Sequence, residues 1–415
     1  MTNDQIATAA AFRSRGRLPA ITYLHQASKA VMARSAQPLV GLTQKNCPED
    51  ELLLNFYRLK GVATSNTTTS SSTSAANTTS SENPAAHHTS TSLSNNNALS
   101  IVNQAKLYIL DARGRIAANL NMAAGKGTED VSSYFNAELV FGNIENIHVM
   151  RNSANALAEC LSPDVHPYSN MKEVLTSSEG SGSGYSYKIE DSGWLKHIRL
   201  ILVSAVFAAE KLHFDGHSVL VHCSDGWDRT AQICATTQVL LDPFFRTIEG
   251  LAVLIEKDWC AFGHKFQERT GVGMDNNVQA DERSPVFIQF LDCLYQLIQQ
   301  FPTCFEYNDT LLIFIVNHLH SALFGNFLGN SEKERMIELQ CQTNTVSIWS
   351  YVLTYQEIFK NKDYQRYQSP IWPSVAIHKM KIWERYWMRW DITSHPNALV
   401  PASHQWIDDW GDLHL

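Results

Sequence analysis

The chain has 415 residues, 44% of them hydrophobic, with 41 acidic against 33 basic side chains and a formal net charge of −8. That composition supports a large packed core and excludes a wholly disordered chain, and the acidic balance excludes broad nucleic-acid binding, which needs a basic face. The longest strongly apolar stretch, 200–209, is about half of what a bilayer-spanning helix requires, and the N-terminal MTNDQIATAA lacks the basic-then-apolar order of a secretory signal, so a soluble, unsecreted protein is expected.

In chain order, EDELLLNFYRLK (49–60) has helical spacing, and a polar Ser/Thr/Asn run (64–100) then carries almost no large apolar side chain. Such a run cannot offset the entropy of ordering and is expected to be a disordered insertion. AKLYILDAR (105–113) reads as a strand, as does 137–149; SSEGSGSGYS (177–186) reads as a flexible loop. Residues 194–211 show apolar spacing of three and four and form a helix, SVLVH (218–222) is a buried strand, and 230–241 is again helical. FIQFLDCLYQLIQQF and TLLIFIVNHLHSAL extend the helical pattern through the C-terminal part. Strands alternating with helices before a helical end predict an α/β layer fold.

Eight cysteines, at 47, 160, 223, 234, 260, 293, 304 and 341, show no paired spacing. Neither a disulfide framework nor a zinc site follows, and a reducing cytosol fits best. Of the eight, only Cys223 has an arginine six positions on, a strand before it, a glycine within the intervening turn and a helix after. A strand running through Cys-Ser-Asp-Gly-Trp-Asp-Arg into a helix points backbone amides and a helix N-terminus at one place, which is an anion cradle. The same field favours a thiolate able to attack phosphorus, with Arg229 gripping the phosphate oxygens as a planar fork. The competing reading is that Cys223 is a small buried core residue.

HCSDGWDRTAQ (222–232) resembles the signature of the myotubularin family of phosphoinositide 3-phosphatases, a branch of the Cys-based phosphatases. The resemblance extends to FRSRGRLP (12–19), RSAQPLVG (34–41), DARGR (111–115), FNAEL (135–139), NIHVMR (146–151), FGHKFQERTG (262–271), RSPVFIQFLDCLYQL (283–297), QFPTCFEYN (300–308) and TVSIWSY (345–351). It implies a protein-tyrosine-phosphatase-like central sheet flanked by helices, with a helical C-terminal part, as one phosphatase domain over 1–415. It also implies removal of the D3 phosphate from phosphatidylinositol 3-phosphate and phosphatidylinositol 3,5-bisphosphate through a cysteinyl-phosphate, with no metal and no cofactor.

Carried over residue by residue, the resemblance makes Cys223 the nucleophile and Arg229 the phosphate clamp, with Ser224, Asp225, Gly226, Trp227 and Asp228 lining the headgroup. Asp228 is the first choice as the acid that protonates the leaving inositol oxygen; Asp225 and Asp111 compete, and for Asp111 a strand-end carboxylate bonded to backbone or to Arg113 is an equal alternative. Further substrate contacts fall on Asn121, Asn146, Ile147, Lys265 and Arg269, the last two sharing a helical face that would hold a second phosphate. His222 and His264 read as structural. Arg13, Arg15, Arg17 and Arg34 either lean on an anionic membrane surface or solvate a face, and Trp383, Trp387 and Trp390 fall on one helical stripe that reads as core.

The partners so implied are phosphoinositide lipids met at a peripheral, endosomal membrane from the cytoplasm, with no nucleic acid; oligomerisation with itself or with relatives is left open. Typical members begin with a lipid-binding domain and an early strand that are missing ahead of FRSRGRLP, so an N-terminally truncated form is expected. QADERSP and Met122 depart from the family pattern. A catalytically silent scaffold and a protein-tyrosine phosphatase are the alternative functions; the intact cysteine and arginine oppose the first, and the acidic, aromatic loop opposes the second.

Overall fold

The computed structural model describes residues 1–60, 104–161, 182–273 and 280–389. The Ser/Thr/Asn run at 64–100 and residues 177–181 lie outside them. Five strands, β1 (Ala20–Leu24), β2 (Val31–Ala36), β3 (Leu107–Asp111), β4 (Ala137–Phe141) and β5 (Ser218–Cys223), form one sheet in the order β1-β2-β5-β3-β4. β5 sits in the middle, parallel to both β2 and β3; β4 is parallel to β3, and only the edge strand β1 is antiparallel. A strand buried on both faces reads as a continuous apolar run, which is the pattern of SVLVHC.

Helices cover the sheet. α1 (Pro48–Lys60) contacts β2, β3 and β5, while α2 (Ile147–Leu161), α3 (Trp194–His213) and α4 (Arg229–Leu241) form part of a second layer with α5 (Val286–Gln300). Every residue from Thr230 to Leu241 is buried, as is the α5 run Val286–Ile298. α4 is thus a central helix enclosed between the sheet and the outer helices, and this fixes the direction in which its N-terminus points. The expected α/β architecture with flanking helices is present.

Four expectations change. The apolar stretch 137–149 is not one strand: β4 stops at Phe141 and α2 starts at Ile147, with the Asn146 side chain accepting from the amides of His148 and Val149 to start the helix. Residues 182–186, read as loop, belong to a helix spanning Gly182–Asp191 that packs on α2 and α3, a case of tertiary packing overriding weak propensity. Arg13 and Arg34 do not lean on a membrane: both are buried, Arg13 between Asp50 and Glu129 and Arg34 on Asp258. Trp383 and Trp387 are core residues, stacked on Tyr295 and edge-on to Trp194 respectively, but the local helix runs only over Glu384–Trp387, and Trp390 lies outside the described residues. Its short turn is stabilised by packing rather than by a long amphipathic stripe.

Candidate active site

β5 ends at Cys223 and α4 begins at Arg229, so the five residues between must turn sharply at the C-terminal edge of the parallel strands, where α/β folds bind ligands. Gly226 makes the turn. Its φ is +80°, and a Cβ there would lie 2.5 Å from the Ser35 carbonyl oxygen of β2, so no other residue lets the loop rest on the sheet. The Gly226 carbonyl accepts from Arg34 Nη2 at 2.8 Å and from Arg17 Nη2 at 3.4 Å, and the Gln37 amide donates to the Ser224 carbonyl at 3.2 Å. With two carbonyls tied back, the Gly226 amide donates to Cys223 Sγ at 3.3 Å.

Cys223 is 2% exposed. Burial alone pushes its thiol up; the Arg229 guanidinium and the Thr230 hydroxyl and amide outweigh that and the opposing Asp228 carboxylate, so the thiol lies below its ordinary value. At the buried thiols of Cys234, Cys260 and Cys293 burial prevails, over Arg34 and Lys257 at the first and over Arg335 at the second, and all three are pushed up. This contrast sets Cys223 apart from the core cysteines on physical grounds. All eight cysteines are free.

Arg229 opens α4 with Nη2 on Ser224 Oγ (3.2 Å) and Nη1 on the Ile144 carbonyl (3.2 Å), which aims the guanidinium across the loop. In front of it lies a cleft of about 460 Å³ lined by Cys223, Ser224, Asp225, Trp227, Asp228, Arg229, Asn146, Ile147, Lys265 and Arg269, together with Arg15, Glu268 and Glu282. The structure therefore brings together nearly all the residues expected there. Gly226 and Asn121 are outside this lining, the Asn121 amide donating to the Ala117 carbonyl at 2.7 Å.

The three carboxylates differ. Asp111 is fully buried beneath the loop, bonded to the Arg113 side chain at 2.9 and 2.7 Å and to its amide at 3.0 Å, and does not line the cleft. Asp228 lines it but accepts from Arg269 at 3.1 and 2.9 Å and lies 3.1 Å from His264 Nδ1. Burial pushes this carboxyl up, but Arg269 and His264 more than reverse it and hold Asp228 well below the usual carboxylate range. Asp225 has no such clamp; its Oδ1 accepts from Ser14 Oγ at 3.2 Å and lies 4.0 Å from Arg15 Nε.

Lys265 and Arg269 do not share a helical face as free cations. Lys265 precedes the short helix Phe266–Thr270, its Nζ lies 4.8 Å from the Trp227 ring centre, and it is chelated by Glu268 at 2.8 and 2.9 Å. Arg269 is divided between Asp228 and Glu282. The histidines are structural: His222 Nε2 lies 2.9 Å from Glu129, and His264 Nδ1 lies 3.0 Å from the Trp227 carbonyl.

Sequence reasoning missed the supports. Arg34, Arg17, Gln37 and Asp258 hold the loop from behind, Asp258 from a π-helical turn over Glu256–Ala261 that also anchors Arg34 at 2.9 Å. Glu268 and Glu282, the anionic rim of the cleft, were also missed. The sequence signals for Arg34 are its place at the head of RSAQPLVG and a charge inside an otherwise uncharged strand, VMARSA.

Residues 1–336 match the family model of the myotubularin-like phosphatase domain. The chain is 38% identical over 407 residues to the phosphatidylinositol-3,5-bisphosphate 3-phosphatase MTMR2 of Mus musculus, covering 97% of this chain and 54% of that protein. It is equally identical to the proteins of the same name from Gallus gallus, over 96% of this chain and 60% of the relative, and Bos taurus, over 96% and 53%. The chain thus spans somewhat over half the length of these relatives. With the family model matched across four-fifths of the sequence and Cys223, Gly226 and Arg229 held on one loop between β5 and α4, the chain belongs to the family of myotubularin-like phosphatase domains.

Proposed function

We propose that this protein is a phosphoinositide 3-phosphatase, acting on phosphatidylinositol 3-phosphate and phosphatidylinositol 3,5-bisphosphate. The observation that carries the reading is the one thiol pushed down among buried thiols pushed up, held between the Gly226 amide and the Arg229 guanidinium at a helix N-terminus. Cys223 sulfur attacks the D3 phosphorus; the S–P bond forms as the bond to the inositol oxygen breaks, and that oxygen takes a proton from a carboxyl of the loop. Water then attacks the cysteinyl-phosphate, gives its proton back to the carboxylate, and releases phosphate and the thiolate. Arg229 and the loop amides hold the charge on the transferring group in both steps. The proton transfers fall to Asp225 and Asp228, the two loop carboxylates that line the cleft, rather than to Asp111.

No metal-ligating cluster of His, Cys, Asp or Glu occurs among the described residues, and no described helix is long and apolar enough to cross a membrane. The reading includes a peripheral encounter with phosphoinositide-bearing membranes of the endosomal system, where such a substrate would be met. The test measures phosphate released from water-soluble short-chain forms of both lipids, of other phosphoinositides and of a phosphotyrosine peptide, with Cys223→Ser as control. Release from the 3-phosphorylated lipids, abolished by the substitution, supports the reading. Folded protein that turns over neither lipid, or prefers the peptide, overturns it.

A further inference from the structure

The three most exposed large apolar side chains of the described residues are Ile116 at 78%, Leu42 at 74% and Leu120 at 73%. They sit in two segments that follow the strands on either side of β5: Leu42 in the loop after β2, and Ile116 and Leu120, four apart and so on one side, on the short helix Arg115–Leu120 after β3. Ala118 alone of that helix is buried. The segments touch. A Cβ at Gly41 would lie 3.4 Å from Gly125 Cα, and the Gly41 amide donates to the Lys126 carbonyl at 3.2 Å.

Both segments are also fastened to the catalytic loop. Gln37, which opens the first, donates its amide to the Ser224 carbonyl, and Gly114, which opens the second, lies against Asn143, next to the Ile144 carbonyl that holds Arg229. Their charge is one-sided in an acidic chain: residues 37–46 and 112–127 contain Lys45, Arg113, Arg115 and Lys126 and no Asp or Glu. Arg113 is spent on Asp111, while Lys45 and Arg115 are exposed and Lys126 half-buried. Exposed apolar side chains on cation-bearing segments that are fastened to the catalytic loop have the composition of an interfacial membrane contact.

We propose that this ledge is the surface on which the protein meets an anionic lipid bilayer, with Ile116, Leu120 and Leu42 entering the headgroup layer and Lys45, Arg115 and Lys126 facing its phosphates. The inference rests on the phosphoinositide reading only in that the same bilayer carries the substrate. Full-length protein is co-sedimented with phosphatidylcholine vesicles with and without phosphatidylserine, and turnover of a water-soluble short-chain 3-phosphorylated substrate is measured alongside. Ile116→Ser with Leu120→Ser should lower vesicle partitioning about tenfold and leave soluble turnover unchanged, and Lys45→Ser with Arg115→Ser and Lys126→Ser should abolish the preference for phosphatidylserine. Wild-type partitioning by the folded Ile116/Leu120 double variant overturns the proposal, as does failure of the wild type to sediment. Loss of self-association in place of loss of vesicle binding would assign the ledge to a second copy of the chain and overturn it too. Absence of soluble turnover by the wild type would defeat the phosphatase reading and leave the sedimentation result standing.

Discussion

Arg269 grips the Asp228 carboxylate at 3.1 and 2.9 Å, one residue before Arg229, the proposed phosphate clamp. Asp228 is therefore a carboxylate, in the form that accepts a proton from attacking water, whereas Asp225 lines the same cleft with only the exposed Arg15 at 4.0 Å. The proton donor is identified by leaving-group dependence. Replacing it with Asn should slow release from an inositol phosphate by about 10²–10⁴-fold while sparing an aryl phosphate, whose leaving group needs no proton. Equal losses on both substrates for Asp225→Asn and for Asp228→Asn would remove both from that role.

The depressed thiol gives a pH signature. A lowered thiol pKa means that thiolate persists to lower pH, so alkylation of Cys223 by iodoacetamide should reach half its limiting rate below the ordinary thiol value of 9.0. Burial remains when the guanidinium is removed, so in Arg229→Met the midpoint should move upward, and turnover should fall at least about 10³-fold. An unchanged midpoint would show that Arg229 does not set the thiolate.

Gly226→Ala places a methyl 2.5 Å from the Ser35 carbonyl oxygen at a φ of +80°. The left-handed backbone costs roughly 1–2 kcal/mol on its own, and relief of the overlap must move the loop off β2, breaking the amide contact to the sulfur. Calorimetry should show a lower Tm, and activity should fall more than tenfold even below the transition. A fully active Gly226→Ala variant would mean that the loop does not depend on its seat against Ser35.

Glu268 chelates Lys265 on the rim of the cleft, so a second phosphate arriving there competes with a carboxylate already in place. Glu268→Gln keeps the shape and removes the charge. Its expected effect is a shift of roughly fivefold in kcat/KM toward the 3,5-bisphosphate over the 3-monophosphate, the scale of one partly exposed ion pair. Soluble headgroups of both types measure the ratio, which should fall as ionic strength rises.

The strand SVLVHC, the turn after it and the helix beginning at Arg229 were legible in the chain because each depends on side chains within about ten residues: an apolar run, a glycine where φ must be positive, and a 3.6-residue period. Cys223 and Arg229 come together by the same local geometry. The split of 137–149 into strand and helix was not legible, because its apolar residues fit either period and Asn146 had to be recognised as the cap.

What only the tertiary structure decided is which charges are spent and which are left. Arg34 reaches Gly226 across 192 residues of sequence, Asp111 is used up on Arg113 beneath the loop, and Lys265 and Arg269 meet carboxylates instead of standing open. The chain by itself determined the strand, the turn and the helix start that bring Cys223 and Arg229 together, since those follow from backbone conformation along contiguous residues. The ionised state of Asp228, held by Arg269 and His264, the burial that Arg229 and Thr230 must outweigh at Cys223, and the exposure of Ile116 and Leu120 depend on distances between segments far apart in sequence, and electrostatic and hydrophobic free energies are set by those distances, not by order along the chain.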